Sequence, residues 1–197
     1  LLSFGSSLLM ETQWGGFPTL RANPGPIRAS CHFTAVLEHA LSLIEANDTS
    51  VDPWVVHKTE DFVALYDGFP KSSVHLLIIP RERILSLAAV TPERLPLLQK
   101  LAAYVNWIME CLREACPTMT FVHGLHSVPS LRQLHVHVLS QDFQSPCLKN
   151  AKHFNSFQTP FFVSLDLVIE ALLRGESIET SLGLRGAEER MKQQELQ

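Results

Sequence analysis

The sequence lacks most features of secreted, membrane-spanning or strongly DNA-attracting proteins. Its 197 residues include four cysteines without Cys-x-x-Cys spacing, so we expect no disulfide framework and a reducing compartment. No apolar run approaches membrane-spanning length, which predicts that no membrane is among the partners. The net charge is −4, so a global basic field is absent and any DNA affinity has to come from a local patch.

The length of the chain and its 46% hydrophobic content predict a single domain with one well-buried core. Residues 1–30 contain Gly and Pro with little periodicity and are predicted to be irregular. The domain is predicted to span residues 31–174, followed by a polar tail at 175–197 that is disordered or a frayed helix. Because the first residue is Leu and residues 1–10 lack a basic segment, we expect a fragment without a signal peptide.

Hydrophobic periodicity predicts an α+β fold with a mainly antiparallel sheet and two principal helices. One amphipathic helix is predicted to begin at Phe33, and Thr91-Pro92-Glu93 indicates the start of a long helix that ends near Ala115. Asp166 is predicted to cap a shorter helix. The predicted strands lie near residues 54–58, 62–66, 74–79, 120–124, 133–140 and 161–163.

The most informative segment is Gln-Leu-His-Val-His-Val-Leu at residues 133–139. Side chains alternate along a strand, so Gln133, His135 and His137 share one face and the apolar residues share the other. A neutral imidazole is a nucleophile toward phosphorus, and its pKa lies near working pH. The histidine pair alone leaves three interpretations open: a catalytic nucleophile, two zinc ligands, or ordinary surface histidines.

The segment resembles the histidine-triad motif of nucleotide hydrolases and transferases, His-x-His-x-His followed by two apolar residues. Flanking segments are similar to the aprataxin family of that superfamily, at residues 66–71, 75–80, 126–130, 140–150 and 152–157. The run Ser-Pro-Cys-Leu-Lys-Asn is far more specific than the triad, because generic histidine-triad hydrolases lack it. Gln133 departs from the family, which usually has histidine at that position, and an amide cannot titrate.

The resemblance implies a histidine-triad fold and an enzyme that removes AMP from 5′-adenylated DNA or RNA–DNA ends through a covalent AMP–histidine intermediate. His135 is the implied nucleophile, and His137, His126, Gln133 and Ser130 are the expected donors around the phosphate. The expected product is AMP, the expected location is the nucleus, and we expect a monomer. Full-length relatives bind a structural zinc in a C-terminal finger whose ligands this chain lacks, so we expect no cofactor or metal here.

The nucleotide pocket implied by the resemblance lies in and beside the 66–71 segment. The carboxylate of Asp67 would bind the ribose hydroxyls, while Leu65 and Phe69 would wall the adenine. Lys71 would buttress the loop or meet phosphate, and His75 would line the pocket. From the residues alone, two of these positions have an alternative interpretation. Asp67 is then a turn residue that bonds its own backbone, and His75 is a buried structural histidine.

The implied DNA contacts lie in two other segments. A basic, polar loop after the triad suits phosphate contact, which positions DNA without reading its sequence. In the family, an aromatic residue near the first helix wedges into the duplex end and stacks on a base. Without the resemblance, the aromatic residue is interpreted as a core residue and the loop as an ordinary solvated loop. The predicted contacts are His32, Phe33, Ser145, Lys149, Asn150, Lys152 and His153.

Three alternatives to DNA deadenylation remain from the sequence. The first is a general nucleoside phosphoramidate or dinucleotide hydrolase that acts without DNA. The second is a catalytically weak protein that binds nucleotides or DNA ends, an alternative kept open by Gln133. The third is a zinc enzyme that uses His135 and His137, although no nearby Glu or Cys completes an obvious ligand set.

Overall fold

The computed structural model describes residues 14–16, 20, 54–129, 131–157 and 161–183. Within these residues, six strands form one sheet in the order β1-β2-β3-β5-β4-β6, and each neighbouring pair is antiparallel. The strands are β1 (Val55–Lys58), β2 (Phe62–Tyr66), β3 (His75–Pro80), β4 (Phe121–His126), β5 (Val136–Ser140) and β6 (Phe162–Val163). The α-helices are α1 (Leu95–Ala115), α2 (Ala151–Asn155), α3 (Leu165–Leu173) and α4 (Ile178–Ser181). The predicted α+β class and antiparallel sheet are confirmed.

Helix α1 covers one face of the sheet with an apolar stripe. Leu98, Leu101, Val105, Ile108 and Leu112 recur every three or four residues, and all are buried in the main core. This spacing places them on one side of the helix, so they pack together against the strands. No helix in the described ranges is long and apolar enough to cross a membrane.

The start of α1 differs from the prediction. Thr91 precedes a short 3-10 helix, Pro92–Arg94, and makes no side-chain capping bond, while the α-helix begins at Leu95. Pro96 explains the shift, because proline fits the first helical turn but would lack a needed N–H and clash deeper inside. Thr91 is therefore the N-cap residue of this leading 3-10 turn, with Pro92 and Glu93 in the turn as predicted, and the α-helix itself starts one short turn later.

The end of the described chain also refines the prediction. Ser164, not Asp166, caps α3, since the Ser164 hydroxyl accepts a hydrogen bond from the Asp166 N–H at 3.2 Å. Beyond residue 174, Ile178 in α4 is only 4% exposed and packs in the main core. Part of the predicted polar tail is therefore packed against the domain, because it contributes an apolar side chain. The predicted domain limits otherwise stay a prediction.

Two local elements were predicted incompletely. Strand β5 begins at Val136 rather than at residue 133, because the Leu134 N–H bonds the Ile84 carbonyl at 2.6 Å, outside the β3–β5 ladder. Helix α2 was predicted as loop. Asn150 caps it, since its Oδ1 accepts from the His153 N–H at 3.0 Å. The predicted helix from Phe33 lies outside the described residues.

Candidate active site

The candidate site lies on the sheet face opposite α1, centred on β5. Leu134, Val136 and Val138 point into the main core, as the predicted alternation requires. His137 pairs with Leu77 on one side and Gly124 on the other, so it sits in the middle of the sheet. The site is therefore built on rigid, neighbouring strands.

His135 is oriented by a bond to the backbone of its own strand. Its Nδ1 lies 2.7 Å from the Gln133 carbonyl oxygen, so Nδ1–H donates and Nε2 keeps its lone pair. The side chain is buried, and burial lowers the pKa of His135. A neutral imidazole with a fixed tautomer is the form that a nucleophile requires.

A chain of hydrogen bonds fixes the tautomers of His75 and His137. The Lys71 backbone N–H donates to His75 Nδ1 at 3.0 Å, so the proton of His75 sits on Nε2. His75 Nε2 then donates to His137 Nδ1 at 2.9 Å. His137 is left with its proton on Nε2, an atom that is buried without a hydrogen-bond partner among the described residues. The chain thus presents one unfilled N–H donor beside His135.

His126 brings a third imidazole to the same point. Its ring centroid lies 4.3 Å from that of His137, and its Nε2 is also buried without a partner in the part of the chain described. Burial lowers the pKa of His126 to about 3 and that of His75 to about 4. Both imidazoles are therefore neutral at pH 7, and the unpartnered Nε2 of His126 can take part in one further hydrogen bond.

Gln133 has a different role from the predicted one. Its Nε2 donates to the carbonyl oxygens of Pro80 and Glu82, both at 3.0 Å, and its Oε1 accepts from the Ile84 N–H at 3.3 Å. Both N–H groups of the amide therefore donate to backbone carbonyls, and neither is free to donate to a phosphate. The amide ties the start of the histidine segment to the turn after β3, which corrects the assignment of Gln133 as a phosphate donor.

Asp67 joins the turn and the histidines. Its Oδ1 accepts from the Phe69 N–H at 2.7 Å, the turn bond expected from sequence. Its Oδ2 lies 3.5 Å from His75 Nε2 and 4.0 Å from His137 Nδ1. The carboxylate therefore faces the histidine chain from the end of β2, and its contact with ribose stays a prediction.

The other predicted nucleotide residues surround this corner. Leu65 is buried in a small apolar cluster with Leu77 on the site face of the sheet. The Lys71 ammonium donates to the Phe69 carbonyl and lies 6.0 Å from the Phe69 ring centroid. Burial lowers the pKa of Lys71. The structure thus brings these side chains together, while their roles toward adenine and phosphate stay predictions.

The loop after β5 is braced internally. The Ser145 hydroxyl donates to the Pro70 carbonyl at 2.5 Å and so links this loop to the predicted nucleotide loop. The Lys149 N–H donates to His153 Nδ1 at 3.2 Å. Ser145, Asn150 and His153 therefore shape the loop, and the exposed Lys149 stays the predicted phosphate contact. Four predicted contacts lie outside the described part of the structure: His32, Phe33, Ser130 and the side chain of Lys152.

Two residue groups have the spacing of a metal site. In each, one potential ligand atom per residue lies within 4.8 Å of the others: His126, His135 and His137, or Asp67, His75 and His137. Neither complete group was predicted, because no Glu or Cys near His135 and His137 in the sequence completes a ligand set. The hydrogen-bond chain opposes metal binding, however, because it places a proton on His137 Nε2 and uses the facing nitrogens of His75 and His137.

Sequence reasoning missed two kinds of neighbour. Ser86 lines a small cavity that His126, Gln133 and His135 also border. Phe157 contacts three of the histidine rings. Neither residue lies in a periodic element, so no sequence pattern places it at the site. The segment that contains Phe157 could be found only through its resemblance to the family.

An antiparallel sheet whose central strand brings fixed, neutral imidazoles to one point defines a histidine-triad protein. A family model described as "Scavenger mRNA decapping enzyme C-term binding" matches residues 40–153. Aprataxin of Gallus gallus is 43% identical over 123 residues, covering 60% of this chain and 38% of that protein. The aprataxin-like protein of Saccharomyces cerevisiae is 32% identical over 165 residues, covering 70% of this chain and 75% of that protein.

A solved structure supports the same relationship. The crystal structure of the aprataxin ortholog Hnt3 in complex with DNA matches with a TM-score of 0.56 at 30% identity, covering 73% of this chain and 78% of that one. The chain therefore belongs to the matched family and is an aprataxin relative. It spans about two fifths of the length of the Gallus gallus relative.

Proposed function

We propose that this domain removes AMP from 5′-adenylated DNA ends and leaves a 5′-phosphate. The observation that carries the proposal is the pair of fixed tautomers: a lone pair on His135 Nε2 beside an unfilled N–H on His137. One group attacks phosphorus and the other binds a phosphate oxygen, the two requirements of nucleotidyl transfer. A relative solved in complex with DNA supports the choice of substrate class.

In the first step, His135 Nε2 attacks the phosphorus of AMP and the bond to the DNA 5′-phosphate oxygen breaks. The leaving phosphate needs little protonation, so donors around the phosphorus matter more than a strong acid. His137 Nε2–H would bind a non-bridging oxygen. The adenylated His135 carries a positive charge, which its Nδ1–H shares with the Gln133 carbonyl.

In the second step, water attacks the same phosphorus and the P–N bond breaks. The electron pair returns to His135 Nε2, and AMP leaves. The proton of the water passes to the neutral His126 beside the reaction centre, from which it escapes to solvent. The Asp67 carboxylate lies 3.5 Å from His75 and 4.0 Å from His137, so it favours a transient positive charge on these hydrogen-bonded histidines.

The test uses a nicked duplex with a 5′-AMP cap, resolved on a denaturing gel. We expect the unmodified protein to release AMP, His135→Ala to release none, and His123→Gln to behave like the unmodified protein. His123 is a suitable control because it pairs with Val138 on β5 but lies outside the site. Mass spectrometry of the quenched reaction should find one adenylyl group on His135.

Each alternative has its own outcome in this assay. Hydrolysis of adenosine 5′-phosphoramidate without action on the duplex would favour the general nucleotide hydrolase, whose site also needs only His135 and Asp67. AMP binding without release from either substrate would favour a binding protein. Partial labelling without turnover would point to a defect in the water step.

We also propose that the reaction needs no metal, because the proton on His137 Nε2 blocks that nitrogen as a ligand. Treatment with EDTA should leave the rate of AMP release unchanged. A loss of activity that added Zn²⁺ restores would revive the zinc alternative. The monomeric state and the nuclear location remain proposals, to be checked by light scattering and by imaging of a tagged protein.

A further inference from the structure

Phe157 lies against three of the site histidines at once. It follows α2, and its backbone N–H bonds the Phe154 carbonyl at 3.1 Å. The ring is 7% exposed. Its centroid lies 4.8 Å from the ring of His126, 5.4 Å from that of His137 and 5.6 Å from that of His75. Neither the hydrogen-bond chain nor the proposed reaction assigns this ring a role.

The packing behind Phe157 keeps its ring in place. Phe162 lies 5.4 Å away and also contacts His126 at 5.8 Å. Phe162 in turn occupies the space beside Gly124, where an added Cβ would meet its ring at 2.8 Å. The ring centroid of Phe143, a residue with a φ of 49°, lies 6.4 Å from that of Phe157. The Phe157 ring is thus packed against two aromatic neighbours.

His126 depends most on such a contact. His75 and His137 are oriented by hydrogen bonds, whereas the described residues give His126 none, and its buried Nε2 has no partner. Ring contacts with His137, Phe157 and Phe162 are therefore what orient it. A buried imidazole without such a wall can rotate between its two ring orientations.

We propose that Phe157 is a positioning residue whose ring sets the orientation of His126 and shields His75 and His137 from water. The proposal deepens the proposed function and rests on it for its kinetic arm. The segment that carries the predicted DNA contacts would then also supply the wall of the reaction centre.

Loss of the ring has a consequence that plain destabilisation does not have. Water would reach His75, His126 and His137, whose pKa values are lowered mainly by burial. The other titratable groups facing them are Asp67, Lys71 and His135, and these would be unchanged. The pKa values of the three histidines would rise, so activity would be lost at a higher pH on acidification.

The first test compares Phe157→Leu with Phe154→Leu. Phe154 undergoes the same chemical change but is 41% exposed and contacts Phe143 rather than a histidine. For Phe157→Leu we expect kcat about tenfold lower, a KM changed less than about twofold, and an acid limb shifted upward in pH. Phe154→Leu should match the unmodified protein. Phe157→Met provides a milder change if Phe157→Leu does not fold.

The second test does not require activity. In ¹⁵N spectra of the imidazoles, unmodified protein and Phe154→Leu should show single tautomers for His75 and His137 and a low pKa for His126. Phe157→Leu or Phe157→Met should raise that pKa and broaden the His126 signals. Unchanged spectra in a folded variant would overturn the proposal even if the domain hydrolyses adenylated DNA. If the unmodified protein does not hydrolyse adenylated DNA but the Phe157 variants still alter the spectra, the positioning role of Phe157 is supported and only the proposed function is rejected.

Discussion

Both faces of the sheet are buried, but they are built from different chemistry. The face under α1 is apolar, with strand residues such as Phe62, Leu76, Ile78, Val136 and Val138 in the main core. A polar residue on this face, His57, is bonded to the Tyr104 hydroxyl at 2.7 Å. The opposite face carries polar groups: the buried residues Asp67, His75, Gln133, His135 and His137, and the half-buried His126 beside them.

The difference shows how the two faces divide their tasks. Burial of a large apolar side chain stabilises a fold by about 1.5–3 kcal/mol, whereas a buried polar group without a partner costs about 1–3 kcal/mol. The unfilled Nε2 atoms of His126 and His137 are therefore a cost that the apolar face offsets. Substitutions should separate the faces: changes on one should reduce stability, and changes on the other should reduce activity.

The largest effect is expected from two adjacent residues that point to opposite faces. His135→Ala should lower the rate of AMP release by at least ~1000-fold, because the proposed nucleophile is lost, and should change the urea midpoint little. Val136→Ala should destabilise the fold by roughly 1–3 kcal/mol through a cavity and keep most activity below the midpoint of unfolding. Similar kinetic losses in both variants would contradict the separation of tasks.

Substitutions of Gln133 test whether its amide is a structural tie. Gln133→Glu replaces the NH2 group, which supplies both donated hydrogen bonds, by one oxygen that faces the carbonyls of Pro80 and Glu82, so we expect a loss of about 2–4 kcal/mol at pH 7. Gln133→His keeps one donor and one acceptor and should cost about 1 kcal/mol. Urea unfolding measures both values. Equal stability of the two variants would show that the amide is not held as described.

Acid should destabilise the protein through the histidine face. His75 and His126 have folded-state pKa values of about 4 and about 3, below the value of about 6.5 in the unfolded chain. Below pH ~6.5 the unfolded state binds more protons, so each histidine lowers the free energy of unfolding by about 1.4 kcal/mol per pH unit until its folded pKa is reached.

Urea titrations at several pH values measure this slope. Stability should be flat above pH ~7, apart from other groups, and should fall as the pH drops toward 5. The variant His126→Gln should show a shallower fall, because one buried imidazole is removed. An unchanged slope in that variant would mean that His126 is protonated in the folded protein.

The smallest effect is expected at the exposed edge of the site. Lys149→Ala should weaken DNA binding evenly across sequences and reduce the slope of log K against log salt by about 1, as expected for one lost phosphate contact. AMP binding should be unaffected. Lys58→Ala, at the end of β1, is the matched control and should change neither. Equal losses of DNA and AMP binding in Lys149→Ala would contradict its assigned place.

The sequence predicted those parts of the site that depend on local periodicity. Alternation alone placed His135 and His137 on one face and Val136 on the other, and that division is confirmed. Hydrophobic spacing located α1, although Pro96 shifted its start. The family resemblance supplied the remaining candidates, because residues as distant as Asp67 and His126 share no local pattern.

The missed features depend on contacts between distant segments. The partners of Gln133 are backbone groups about fifty residues earlier, and backbone positions carry no sequence signal. Phe157 is separated from His75 by the whole of α1 and two strands. Tautomers likewise follow from the assembled hydrogen bonds, so the unfilled donor on His137 could not be foreseen.

The hydrogen-bond chain begins at a main-chain amide, the N–H of Lys71. Every amino acid except proline supplies that group, so the side chain at position 71 can change without disturbing where the protons of His75 and His137 reside. The positions of these protons thus depend on the path of the backbone and not on the side chain at position 71. The side-chain charge at position 71 can therefore differ between homologues while the proton positions on His75 and His137 stay the same.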